Sequence, residues 1–208
     1  IFKYYTKHYI AHIVINNYKI NGVDYSYLPD EIKCDFVSLD ILFICLPADL
    51  VLFFKNIFLK SNILIDLIIC SSYAKSINYK DNLNLIGYIS FIDVGFNKTS
   101  IISYYDDKIL SLDTLPIGGN HITKDISKIL EIDLEKSEQL KHDFVQNLKL
   151  AYDKNNSIEI LQKIIFARTE EILELCVKSL ESNSFISGKP KMVLMGEGSK
   201  ILDNKHKD

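Results

Sequence analysis

Asp93 and Gly95 close the apolar run YISFIDV, and Thr99 follows four residues after the glycine. A strand ending in Asp-x-Gly offers a phosphate oxygen the backbone N–H groups of the turn, together with the Thr99 hydroxyl. Asp93 stands where a carboxylate can hold a magnesium ion through water. Asn97 and Lys98 make the turn polar, and the Lys98 ammonium adds a positive contact for an anion. Further on, Gly118 and Gly119 break the pattern, and Asn120 or Thr123 can cap the helix that follows. Glu138 and Lys141 lie three residues apart and so share one face of a later helix. Near the end, Gly196, Gly198 and Ser199 form a Gly-rich turn between a strand and a helix, where glycine lets the backbone approach a ligand closely. Taken singly, the Asp-x-Gly turn also reads as a plain hairpin and the Glu/Lys pair as an ordinary helix surface.

These residues need a sheet and several helices to position them. Tyr88–Val94, Thr99–Tyr105 and Ile109–Leu115 are rich in β-branched and aromatic residues and read as three adjacent strands, joined at Asp106-Asp107-Lys108 by a tight turn. Helices are predicted over 122–130, 133–148 and 158–180, the last with Ile160, Ile164, Ile165, Ala167, Ile172, Leu173, Leu175 and Cys176 recurring at spacings near three and four. Gly188-Lys189-Pro190 ends it, and Met192–Met195 is a further strand. Upstream, Tyr9–Ile15 and Tyr18–Ile20 read as strands around an Asn16-Asn17 turn, and Asn21-Gly22 is a hairpin signal. Leu39–Cys45 is predicted as a strand, 47–59 as a helix, Ile63–Cys70 as a strand and 71–77 as a helix. Tyr79–Asn84 reads as a polar linker. The most apolar stretch, Ile41–Phe54, has 14 residues, short of the roughly 18–20 that span a bilayer. Pro47 and Asp49 interrupt it, so strand, turn and helix is the better reading.

The 208 residues are 48% hydrophobic, enough for a sizeable core. With 24 basic and 27 acidic residues, interspersed and netting −3, the chain presents no electrostatic case for nucleic acid. The four cysteines form no C-x-x-C pair and read as reduced thiols, and the five histidines show no metal spacing. The sequence starts at Ile1 without Met or signal-peptide architecture and reads as part of a longer protein.

LPIGGNHITKDI, residues 115–126, resembles the signature of FtsA, the actin-like bacterial cell-division family, in which a hairpin leads into P-[IV]-G-G-N-H-[IV]-T-x-D-I. Pro116, Gly118, Gly119, Asn120, His121, Thr123 and Asp125 match it in order and without a gap. HIVINNYKINGVD (residues 12–24), ILIDLIICSSYAKSI (63–77) and FARTEEILELC (166–176) are similar to other FtsA segments. The resemblance implies an α/β, actin-like ATPase fold. It also implies a small α+β insert at 1–60, the end of a first-lobe segment at 61–85, a second-lobe sheet at 86–119, a helical subdomain at 120–187 and a return to the sheet at 188–208. It implies ATP and Mg2+ as ligands. Asp93, Gly95, Asn97, Lys98, Thr99, Gly118 and Gly119 would lie at the phosphates, with Asp93 near the metal through water. Glu138 and Lys141 would lie at the nucleoside, and Gly196, Gly198 and Ser199 would close the site. The implied role is to link the FtsZ ring to the cytoplasmic membrane at the division site, to recruit later division proteins and to self-associate into filaments. The FtsZ C-terminal tail would dock on the helical subdomain near Lys163, Arg168 and Lys178. Membrane attachment in the family uses a C-terminal amphipathic helix that this sequence does not contain.

Two departures stand out. The family turn D-[IL]-G-G-G-T-T is here DVGFNKT, with Phe96 and Asn97 for two glycines, and Glu197 replaces the middle glycine of G-G-G-S. The first phosphate loop is not in the sequence, so the chain alone is not expected to hydrolyse ATP. A pilus-assembly scaffold of the PilM type shares the lobes and the insert and is the alternative reading. A sugar kinase or chaperone of the same superfamily is disfavoured, because the insert has no place there.

Overall fold

Asn21 and Gly22 both take positive φ, 50° and 88°, as a two-residue hairpin turn of primed type requires. They join strand β1 (His8–Ile20) to β2 (Val23–Tyr25), and β3 (Val37–Pro47) pairs antiparallel on the other side, giving the order β2-β1-β3. β1 is one strand, where a turn at Asn16-Asn17 was expected. The extra residue is absorbed as a bulge, since the register steps from Ile15↔Ile41 to Asn17↔Asp40. The Asn16 carboxamide then substitutes for a backbone partner. It donates to the Ile109 carbonyl at 2.8 Å and accepts the Ile109 N–H at 3.0 Å.

The computed structural model describes residues 6–146, 155–182 and 188–203. The chain divides into two units, Ile1–Gly87 with Tyr104–Leu110, and Tyr88–Ser103 with Ser111–Asp208. In the first, Pro47 supplies the N-cap of helix α1 (Ala48–Lys60), with Asp49 in its first turn. Val51 is buried, while Leu52, Phe53 and Leu59 are each more than half exposed. The expected strand at Ile63–Cys70 does not form. Its β-branched residues suit a strand, but a strand needs a hydrogen-bonding neighbour, and no described strand adjoins this segment. The Cys70 N–H instead donates to His12 Nε2 at 2.8 Å. Burial pushes the His12 imidazole below its usual value of 6.5, which favours the neutral, accepting ring. From there α2 (Ser71–Asn82) runs through most of the expected linker at 79–84. Its polar second half stays helical because Ser76 and Lys80 are held from outside the helix, by the Tyr104 hydroxyl at 2.8 Å and the Asp107 carboxylate at 2.5 Å.

The second unit carries β4 (Tyr88–Val94), β7 (Lys191–Met195) and the larger parts of β5 (Thr99–Tyr105) and β6 (Lys108–Leu115), in the order β6-β5-β4-β7. The three consecutive strands are thus neighbours, as their composition predicts. β7 lies parallel to β4, from Ile89↔Lys191 to Asp93↔Met195. The connection between them holds α3 (Gly119–Leu130), α4 (Leu134–Val145) and α5 (Asn155–Ser182). Gly118 is the N-cap of α3, so Asn120 and Thr123 lie inside the helix instead of capping it. Asp133 caps α4 by accepting the Lys136 N–H at 2.7 Å. α4 ends at Val145, and the part of the expected helix reaching Leu148 lies outside the described residues, as do 183–187 and 204–208.

The core explains the helical periodicities. Ile92 and Val94 of β4 and Ile101 of β5 meet Ile122 and Ile126 of α3 and Leu161, Ile165, Ile172 and Cys176 of α5. The spacings of four within α3 and of four, seven and four within α5 put these side chains on one face each. Each fully buried isoleucine contributes about 1.5–3 kcal/mol relative to exposure.

Candidate functional site

The Asp-x-Gly turn is fastened to the start of α3 by backbone. Within the turn, Gly95 N–H donates to the Lys98 carbonyl at 3.0 Å. Gly119 N–H then donates to the Gly95 carbonyl at 2.9 Å and Asn120 N–H to the Phe96 carbonyl at 2.7 Å. Asn120 Nδ2 donates to Asn97 Oδ1 at 2.8 Å. So close an approach demands a glycine at 118 for steric reasons. Its backbone is extended, and a Cβ there would sit 2.4 Å from the Gly95 carbonyl oxygen. His121 completes the join, accepting the Gly118 N–H on Nδ1 at 3.2 Å.

These bonds change what the turn offers a ligand. The first free N–H groups of a helix normally attract an anion. Here the amides of Gly118, Gly119 and Asn120 already have acceptors within the protein. Thr99 is fully buried, and its hydroxyl donates to the Ile117 carbonyl at 2.8 Å, bracing the turn from behind. Asn97 and Lys98 stand exposed on the rim. Asp93 is buried at the end of β4. A Cβ on Gly196, whose φ is +87°, would come within 2.5 Å of an Asp93 carboxylate oxygen. Gly198 is equally close to Val94. The Gly-rich turn at 196–199 therefore sits directly on the carboxyl end of β4, with the Ser199 hydroxyl donating back to the Gly196 carbonyl at 2.7 Å. Asp93, the 95–98 turn, the α3 start and the 196–199 turn converge at one end of β4.

Glu138 and Lys141 reach the same place from α4. Lys141 is buried, and its ammonium donates to Glu138 Oε2 at 2.7 Å, Thr123 Oγ1 at 2.8 Å and the Gly119 carbonyl at 3.2 Å. The Thr123 hydroxyl lies 2.5 Å from Glu138 Oε2. Partial burial works against ionising Glu138, but hydrogen bonds from Lys141 and Thr123 and the nearby Lys141 charge outweigh it. Its carboxyl is accordingly held below the ordinary carboxylate value. Facing this cluster, the Phe96 ring centroid is 5.9 Å from Lys141 Nζ.

The three cations expected at a peptide partner differ in their surroundings. Lys163 and Lys178 are exposed on α5. Arg168 is engaged: Nε and Nη2 donate to the two oxygens of Asp125 at 2.5 and 3.0 Å, and Nη1 donates to Glu171 at 2.5 Å. In the sequence Asp125 and His121 stand only as motif letters, and Asn120 and Thr123 as motif letters and candidate caps. Each has a positioning role that a linear sequence shows only as spacing: Thr123 comes one turn after Gly119, and Asp125 one turn beyond His121.

A sequence profile of the family described as Cell division protein FtsA matches residues 90–183. Cell division protein FtsA of Bacillus subtilis is 31% identical over 135 residues, 56% of this chain and 30% of the relative. That of Buchnera aphidicola subsp. Schizaphis graminum is 25% identical over 166 residues, 77% of this chain and 38% of the relative. The chain thus spans about a third of the length of these relatives. Among solved structures, the PilM–PilN type IV pilus biogenesis complex aligns with a TM-score of 0.70 at 15% identity, over 94% of this chain and 51% of the other. MreB5 of Spiroplasma citri bound to ADP aligns at 0.55 and 16%, over 74% and 55%. These likenesses show an actin-like fold.

Proposed function

We propose, from the premise that this chain is an actin-like relative of the cell-division protein FtsA, that it works as the nucleotide-holding second lobe of a division scaffold. The observation that carries the reading is the convergence of Asp93, the 95–98 turn and the 196–199 turn at the end of β4, in FtsA order. Bound ATP would place its phosphates against the turn amides from Phe96 to Lys98 and the Lys98 ammonium. Asp93 would orient a water on Mg2+. Gly118 and Gly119 would support the turn, and Thr99 would brace it. Glu138 and Lys141 would face the nucleoside, and Gly196, Gly198 and Ser199 would close the far side. When bound, the magnesium ion neutralises phosphate charge. The coverage of about a third of the relatives leaves any hydrolysis to the full-length protein.

In the division setting, the partner would be the C-terminal tail of FtsZ, held by the helical part with Lys163 and Lys178 as the exposed cations. Arg168 would act through Asp125 to fix the helix that presents them. Filament formation, recruitment of other division proteins and work at the cytoplasmic face of the inner membrane belong to the same proposal. No helix among the described residues is long and apolar enough to cross a membrane. The PilM likeness rests on 15% identity and speaks for the shared fold rather than a pilus role. The test is calorimetric titration of Mg-ATP into the full-length protein. Asp93→Ala is expected to weaken binding about tenfold or more, the cost of one charge-assisted contact of about 1.5–3 kcal/mol. Unchanged affinity would overturn the site.

A further inference from the structure

We propose that Phe96 is a side-chain gate on the phosphate turn, closed by its contact with Lys141; the inference rests on the nucleotide reading above and adds how entry to that site is regulated. Phe96 is 57% exposed as a residue, and its ring centroid lies 5.9 Å from the Lys141 ammonium, within the range of a cation–π attraction. An apolar ring on the surface of a turn thus stands beside the buried ammonium that bonds the Gly119 carbonyl.

The backbone beneath the ring cannot swing. The Phe96 carbonyl is tied to Asn120 N–H at 2.7 Å, with the Gly95–Gly119 bond at 2.9 Å and the Asn97–Asn120 bond at 2.8 Å on either side. Opening the turn as a loop would break three hydrogen bonds at once. Rotation of the Phe96 side chain breaks none, so the moving part is a rotamer. Such flips take picoseconds to nanoseconds at exposed residues, so the gate sets affinity and leaves the rate of association unlimited. A binding-competent fraction below one weakens apparent affinity by that fraction. A cation–π contact at an exposed site biases the closed rotamer by a factor of about 2–5.

The test is Mg-ATP titration into full-length wild type, Phe96→Ala and Phe96→Tyr, with folding checked by thermal melting. Phe96→Ala is expected to bind roughly three- to sixfold tighter, from removal of the closed population. Phe96→Tyr keeps the ring and is expected to match the wild type. The Lys141 ε-methylene proton shift is the second readout. The ring current should move it upfield in the free wild type, and nucleotide or Phe96→Ala should release it. Equal affinity in wild type and Phe96→Ala overturns the gate and leaves the nucleotide site standing. Weaker binding by Phe96→Ala also overturns it, since the ring would then be a ligand contact. No binding by any of the three overturns gate and site together.

Discussion

Gly118 shows at the scale of one residue how chemistry and packing share a motif. Its φ of −168° is open to any residue, so the demand for glycine is purely spatial. Gly118→Ala should cost about 1–3 kcal/mol in chemical denaturation, because the new methyl meets turn backbone, which gives way less readily than a side chain. Glu138 supplies a pH test. Its folded-state carboxyl titrates below the ordinary 4.5, so its contribution is present above that value and is lost as the pH falls through the lower folded-state one. The stability difference between wild type and Glu138→Gln should therefore be largest near neutrality and shrink steadily in acid. A difference that stays constant with pH would mean that the Lys141 and Thr123 bonds do not stabilise the ionised form. The sequence displayed the glycines and the Glu-x-x-Lys spacing. It could not display that the Thr99 hydroxyl and the α3 amides point into the protein, because donor direction depends on how two distant segments meet.

Between elements, Asp125 and Arg168 are the clearest joint. A bidentate pair, each side chain about a quarter exposed, ties the second turn of α3 to the middle of α5. Such geometry gives more than a typical surface ion pair. A double-mutant cycle with Asp125→Ala and Arg168→Ala in urea should return a coupling energy of about 1 kcal/mol. A coupling near zero would leave the two helices held by Ile122, Ile126 and Ile165 alone. Element types were largely legible: the strands at 88–94, 99–105 and 108–115 and the helices from 119 onward follow their hydrophobic periods. Ile63–Cys70 was not, because periodicity reports what a segment is suited to pair with and says nothing of whether a neighbour exists. Residues 79–82 differ for the opposite reason: a polar side chain at a helix end, Lys80, becomes structural when Asp107 receives it.

For the whole molecule, α1 poses the main question of solubility. Its sequence, ADLVLFFKNIFLK, is apolar almost all round, yet only Val51 is buried. Exposed apolar surface of this extent drives association. The 208-residue chain produced alone should bind a hydrophobic dye and sediment in a concentration-dependent way, and Leu52→Lys combined with Phe53→Glu should reduce both without lowering the melting temperature. Monomeric behaviour of the unsubstituted chain, without dye binding, would show that the α1 face is covered in solution. The hairpin tip at 104–110 was not legible at this level, since it is grouped with the earlier residues by space and not by order.

The parallel pairing of β4 with β7 also fixes a schedule for synthesis. Roughly a hundred residues separate Ile89 from its partner Lys191, and a ribosome adding about 5–20 residues per second needs on the order of 5–20 s to supply them. During that interval β4, with six of its seven residues buried in the finished fold, already has β5 on one side and nothing on the other. An open strand edge in a nascent chain is an aggregation hazard. Its protection falls to whatever holds the emerging polypeptide, and a pause in translation before residue 191 would lengthen the period of risk.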